Sequence, residues 1–130
     1  HKEYRRQRQM CKETAVDTHF VHKGWHDNSE RISKLEYPLI SDSNKELTRE
    51  LDILDDSGKA LRATFVVDPE NVIQTVEINA DGIGRKAEVN VNKVKAGKYV
   101  AAHPGEACPA KWEEEGDDVL TPGLDLVGKL

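Results

Sequence analysis

The residues of this chain best suited to chemistry are its two thiols, and they sit in unlike surroundings. Cys108 lies in Gly105-Glu106-Ala107-Cys108-Pro109-Ala110-Lys111-Trp112, a stretch punctuated by glycine and proline that leads on to Leu124-Asp125-Leu126-Val127-Gly128. No apolar period runs through it, so it reads as an irregular tail beyond the last helix. A thiol there is poorly buried and can swing out to meet a second thiol, which suits exchange chemistry better than core packing. On this reading Cys108 is mobile and quickly alkylated; an inert tail cysteine is the plain alternative. Cys11, in Arg8-Gln9-Met10-Cys11-Lys12-Glu13-Thr14, is the second thiol. Two cysteines so far apart read as redox-active or inert thiols of a reducing compartment, not as a structural disulfide framework.

Three imidazoles offer a competing chemistry. His19, His22 and His26 stand at i, i+3 and i+7, so a continuous helix puts them on roughly one face, a spacing that can ligate zinc. No fourth ligand or catalytic glutamate accompanies them, and neither metal nor cofactor is expected. Gly82-Ile83-Gly84 is too short to cradle a phosphate and reads as a turn before a helix.

The elements that must position these groups alternate between helix and strand. Phe20, Val21, Trp25, Ile32 and Leu35 recur at helical spacing behind Asp17 or Thr18, either of which can accept from free N–H groups; the helix is expected to end near Tyr37-Pro38. Leu39-Ile40 predicts a short strand, residues 45–51 a short helix, and Asp55-Asp56-Ser57-Gly58 a turn. Ala63-Thr64-Phe65-Val66-Val67 is apolar enough for a strand buried on both faces. Asp68-Pro69-Glu70-Asn71 closes a hairpin into Val72-Ile73-Gln74-Thr75-Val76-Glu77-Ile78. A last helix is expected over residues 85–99, although Glu88-Val89-Asn90-Val91-Asn92 alternates as a strand does.

Composition fits one soluble domain or part of one: 130 residues, 37% hydrophobic and 33% charged, with a net charge of −5 that argues against nucleic acid as a partner. The basic run Arg5, Arg6 and Arg8 reads as a solvated helix face or a disordered end. No apolar run approaches the roughly 18 residues of a membrane span, and the charged N-terminus is unlike a signal peptide. A cytoplasmic protein is expected.

Four segments and the tail, in order, resemble one family. Asp17-Thr18-His19-Phe20-Val21-His22-Lys23-Gly24-Trp25-His26-Asp27, Tyr37-Pro38-Leu39-Ile40, Leu61-Arg62-Ala63-Thr64-Phe65-Val66-Val67-Asp68-Pro69, Gly82-Ile83-Gly84-Arg85 and the Cys108 stretch look like alkyl hydroperoxide reductase C, the bacterial typical two-cysteine peroxiredoxins. The resemblance covers residues 17–130. It divides the chain into an unmatched segment 1–16, a partial thioredoxin-like domain 17–103 and a resolving-cysteine tail 104–130.

The resemblance implies an α/β thioredoxin-like sandwich, a central sheet with helices on both faces, here without its N-terminal strands and peroxidatic helix. It implies a thiol-dependent peroxidase: a thiolate attacks the O–O bond of a peroxide, becomes a sulfenic acid, and is captured by a second thiol as a disulfide. Cys108 would be that second, resolving thiol. Arg62 resembles the arginine that stabilises the thiolate and hydrogen-bonds the peroxide oxygens, and Arg85 a second arginine that supports it. The partners implied are hydrogen peroxide or an alkyl hydroperoxide, a flavoprotein or thioredoxin-like disulfide reductase, and a second subunit joined antiparallel at the Val72 to Ile78 strand. Such dimers join into a decameric ring through the helix carrying Phe20 and Trp25.

The family's peroxidatic motif, Pro-x-x-x-Thr-x-x-Cys, does not occur in these 130 residues, and Cys11 has neither Pro nor Thr at the required offsets. The strand leading to that motif would lie in mid-sheet, and without it two half-sheets would leave unpaired backbone groups. The best reading is that the chain represents part of a longer peroxidase; a rearranged N-terminus or a fragment held by partners are alternatives. A catalytically dead element for binding or assembly is the competing function.

Overall fold

The structure, a computed structural model, describes residues 12–128, so Cys11 and the basic run Arg5, Arg6 and Arg8 lie outside the described residues. Backbone contacts divide the chain into two compact units, His1–Ala63 and Thr64–Leu130.

In the first unit β1 (Glu13–Ala15) and β2 (Leu39–Ser41) run parallel, with Glu13 opposite Leu39 and Ala15 opposite Ser41. Between them lies α1 (His19–Asn28), capped by Thr18, whose hydroxyl accepts from the Val21 N–H at 3.4 Å. The helix stops well before the expected Tyr37. Asn28 turns its amide back to the Gly24 carbonyl at 2.7 Å, and the Ser29 hydroxyl accepts from the Ile32 N–H, starting a separate 3₁₀ turn over Ile32–Lys34. Side chains that compete for backbone groups end the helix although the apolar period continues past them.

The best-buried cluster of this unit is polar at its centre. Asp42 accepts from the Leu47 and Thr48 N–H groups and from the Thr48 hydroxyl, at 2.9 to 3.1 Å, which fixes the start of the short helix α2 (Glu46–Glu50). Burial alone would raise the Asp42 carboxyl; the bonds from Thr48 and Leu47 outweigh it and hold the group below its ordinary range. The expected turn follows, with Gly58 in the left-handed region at φ 83° and Asp55 accepting from Ser57 and Lys59.

In the second unit β3 (Arg62–Val67, its first two residues falling across the division) pairs with β4 (Ile73–Asn79). The reversal is set by Asp68, which accepts from Glu70, Val72 and the Gln74 amide, with Asn71 at φ 65°. β3 is not buried on both faces as expected: residues 63–66 are half-buried and Arg62 and Val67 exposed, with β4 the one strand among the described residues that pairs with it. The long helix α3 (Ala87–Ala102) forms through the strand-like Glu88 to Asn92 run. Tertiary anchoring overrides that local pattern: Lys93 bonds Glu77 on β4 at 2.6 Å, and Asn92 bonds the Trp112 carbonyl at 2.9 Å.

Among the described residues the strands pair as β1 with β2 in the first unit and β3 with β4 in the second. Ile53 and Trp112 are the buried large apolar side chains among the described residues, whereas Phe20 is 74% exposed and Val76 and Ile78 about half. No helix among the described residues is long and apolar enough to cross a membrane.

Candidate functional site

Cys108 follows α3 by six residues, and the chain gets there by a sharp reversal. The His103 N–H still bonds the Tyr99 carbonyl at 2.9 Å, and Gly105 then adopts φ 91°, a conformation that favours glycine. The tail next closes on itself: Ala107 and Leu120 exchange backbone hydrogen bonds of 2.7 and 2.9 Å. Trp112, only 4% exposed, packs on the Tyr99 ring at a centroid distance of 5.4 Å.

This corrects the expectation of an open, loosely held tail. Cys108 is half-buried, and burial first, then the nearby Glu106 carboxylate, push its thiol above the ordinary value of 9.0. Both influences disfavour the thiolate. Glu106 in turn accepts from the Tyr99 hydroxyl at 2.7 Å. That bond, with burial and the charges of Glu106, Cys108 and Glu115 behind it, pushes Tyr99 up to about 12. The His103 ring stacks on Tyr99 at 4.1 Å. Sequence reading missed this surround of Tyr99, His103, Glu106 and Trp112. Its one legible signal is the aromatic pair at i, i+4, and Glu106 joins it only through the turn at Gly105.

The two arginines are placed by β3. Arg62 is the exposed first residue of that strand, on the first unit's side of the division. Arg85, exposed in the loop before α3, points its guanidinium at the Thr64 hydroxyl at 3.4 Å, with Thr64 two residues along β3 from Arg62.

His19, His22 and His26 share one face of α1, as their spacing requires, and line an open groove of about 440 Å³ with Lys23, Asp27, Leu35, Tyr37 and Leu39. Lys23 is paired to Asp27 at 2.6 Å, and the Nδ1 of buried His22 meets no partner among the described residues. No group of three His, Cys, Asp or Glu side chains among the described residues is placed to hold a metal ion.

The AhpC/TSA family model matches residues 1–76, more than half of the chain and including its first sixteen residues. The chain belongs to the AhpC/TSA family. A second model, the C-terminal domain of 1-Cys peroxiredoxin, matches residues 96–126, the segment that carries Cys108. Alkyl hydroperoxide reductase C of Staphylococcus epidermidis is 62% identical over 117 residues, which are 89% of this chain and 61% of that protein. The Bacillus subtilis protein of the same name is also 62% identical over 117 residues, covering 62% of its own length.

Among solved structures, Enterococcus faecalis AhpC superposes with a TM-score of 0.73 at 44% identity, over 77% of this chain and 60% of that one. The reduced 2-Cys peroxiredoxin of Plasmodium vivax matches in fold, with a TM-score of 0.78 at 24% identity, over 85% of this chain and 57% of that one. The fold is the thioredoxin-like α/β fold of the peroxiredoxins in part, and the chain spans about three fifths of the length of these relatives.

Proposed function

We propose that this chain serves a thiol-dependent peroxidase acting on hydrogen peroxide and alkyl hydroperoxides, with Cys108 as its resolving thiol. The observation that carries the reading is the placement of Cys108, half-buried on a tail that leaves α3 through a glycine reversal, within a segment matched by a peroxiredoxin C-terminal model. The chemistry needs a peroxidatic thiolate from a segment with the Pro-x-x-x-Thr-x-x-Cys motif, which this sequence does not contain. That thiolate attacks the peroxide, giving an alcohol or water and a sulfenic acid; the Cys108 sulfur then displaces the sulfenic oxygen as water and forms a disulfide. A flavoprotein or thioredoxin-like reductase returns both sulfurs to thiols. Arg62 would hold the thiolate and the peroxide oxygens, and Arg85, already turned toward β3, would support it.

Assembly belongs to the same proposal. β4 pairs with β3 on one side, and no strand among the described residues pairs with its other edge. Two such edges joined antiparallel make a homodimer in which each tail can serve the other subunit. Exposed Phe20 and Trp25 on α1 would carry further association into a ring. The widely spaced cysteines suit a reducing cytoplasm.

The test supplies what the chain lacks. An AhpC-type subunit with its own resolving cysteine replaced by serine is assayed for reductase-coupled peroxide consumption with and without this polypeptide. The polypeptide alone should show no turnover, Cys11 included, and the mixture should gain turnover that Cys108→Ser abolishes. A mixture no faster than its parts would favour the competing reading, an element of assembly alone. Turnover by the polypeptide alone that vanishes in Cys11→Ser would overturn the argument from the motif that Cys11 is not peroxidatic.

A further inference from the structure

Cys108 is tethered on both sides, and one residue takes part in both tethers. Upstream, the Tyr99 hydroxyl donates to Glu106 Oε2 at 2.7 Å. Downstream, the Tyr99 ring packs on buried Trp112, whose carbonyl is also held by the Asn92 amide at 2.9 Å. Glu106 and Trp112 lie two residues before and four after the thiol, so the turn bearing Cys108 is strapped to α3 at both ends. The strap is built from a turn of helix: Tyr99 and His103 stack face to face at 17°, which fixes the direction of the phenol.

We infer that Tyr99 and Glu106 form a latch that positions and shields Cys108, closed in this structure and opened when the tail delivers the thiol to its partner. This rests on the reading of Cys108 as the resolving thiol. Neither residue exchanges electrons or protons with substrate; both act through the sulfur's exposure and charge, as positioning residues. Glu106 does two things at once. Its carboxylate anchors the tail, and its charge, two residues away, opposes ionisation of the thiol. Losing the anchor frees the tail, and losing the charge eases ionisation of the thiol. A resolving thiol that stays protonated and half-covered in the closed tail is protected from reacting with stray electrophiles, because the thiolate is the nucleophile. The titratable groups around the pair are Cys108, Glu115 and the His103 ring.

The two roles separate in two variants. Tyr99→Phe deletes the hydroxyl and keeps the ring on Trp112; Glu106→Gln keeps an acceptor for the phenol and deletes the charge. Both are made in the Cys11→Ser chain so that iodoacetamide reads Cys108 alone, and the alkylation rate is followed across pH. Tyr99→Phe should speed alkylation roughly fivefold at a fixed pH, the scale of one lost hydrogen bond, with little change in the midpoint of the profile. Glu106→Gln should instead move the midpoint to lower pH.

A Tyr99→Phe profile superimposable on the parent's would overturn the latch, as would a Glu106→Gln midpoint that stays in place. General loosening of the fold would raise the rate in both variants without shifting either midpoint, and that pattern also counts against the latch. The resolving role is judged separately by disulfide formation with a peroxidatic subunit. Faster alkylation in Tyr99→Phe with no such disulfide would leave the latch standing and remove its proposed purpose.

Discussion

Lys93 on α3 and Glu77 on β4 form a 2.6 Å ion pair across sixteen residues of sequence, with both side chains about three quarters covered. The Lys93 bond is the largest influence on Glu77. It holds the carboxyl below its ordinary value of 4.5, against an opposing push from burial and with help from the Lys93 charge, Asn79 and Arg85. A carboxyl depressed on folding stabilises the fold above its unfolded value, and the contribution disappears as pH falls through the folded one. Thermal stability should therefore drop between about pH 4.5 and lower values. Glu77→Gln should lower the melting temperature by a few degrees at pH 7 and flatten that acid limb. Melting curves at pH 3 to 7 check it; an unchanged acid limb would remove the pair's role.

Trp112 closes the second unit's small core at 4% exposure. Its truncation to alanine removes the ring on Tyr99 and leaves a void, at a cost of about 3 kcal/mol. Urea unfolding should show that loss, and Cys108 should alkylate faster in the variant because the downstream tether is gone. Trp112→Phe, which keeps a ring in place, should recover most of both effects. Equal stability of parent and alanine variant would mean that the tail is not docked as described.

How far the sequence reaches depends on the range of the forces involved. The Thr18 cap, the Asp68 to Asn71 reversal and the turn at Gly58 were legible because each is decided by residues within four positions of one another. The end of α1 was misplaced because Ile32 and Leu35 keep the helical period that Asn28 and Ser29 break with two side-chain bonds. The last helix lies where it is expected, against its local pattern. Glu88 to Asn92 alternates as a strand does, yet the bonds of Asn92 and Lys93 to distant partners hold it helical. The Cys108 tail was found by composition, but its docking was not, since it depends on Gly105 bringing Glu106 back to Tyr99.

The edge of β4 predicts assembly. Proline in place of Val76 deletes a backbone donor in the strand and should dissociate a dimer built on that edge. Val76→Lys leaves the backbone intact and should weaken the dimer through charge on a half-exposed position, which separates loss of assembly from loss of fold. Sedimentation at micromolar concentration, with circular dichroism as the folding control, reads both. Parent and variants with the same subunit number, or a parent that is monomeric, would reject the edge-strand dimer.

The resolving role of Cys108 is tested most directly by the bond it should form. The polypeptide is mixed with an AhpC-type subunit that keeps only its peroxidatic cysteine, treated with one equivalent of hydrogen peroxide, quenched with an alkylating reagent and digested without reductant. Mass spectrometry should find a peroxide-dependent disulfide between the Cys108 peptide and the peroxidatic peptide, absent without peroxide and absent in Cys108→Ser. Cys108 recovered only as the alkylated thiol, with the peroxidatic cysteine over-oxidised beside it, would contradict the account.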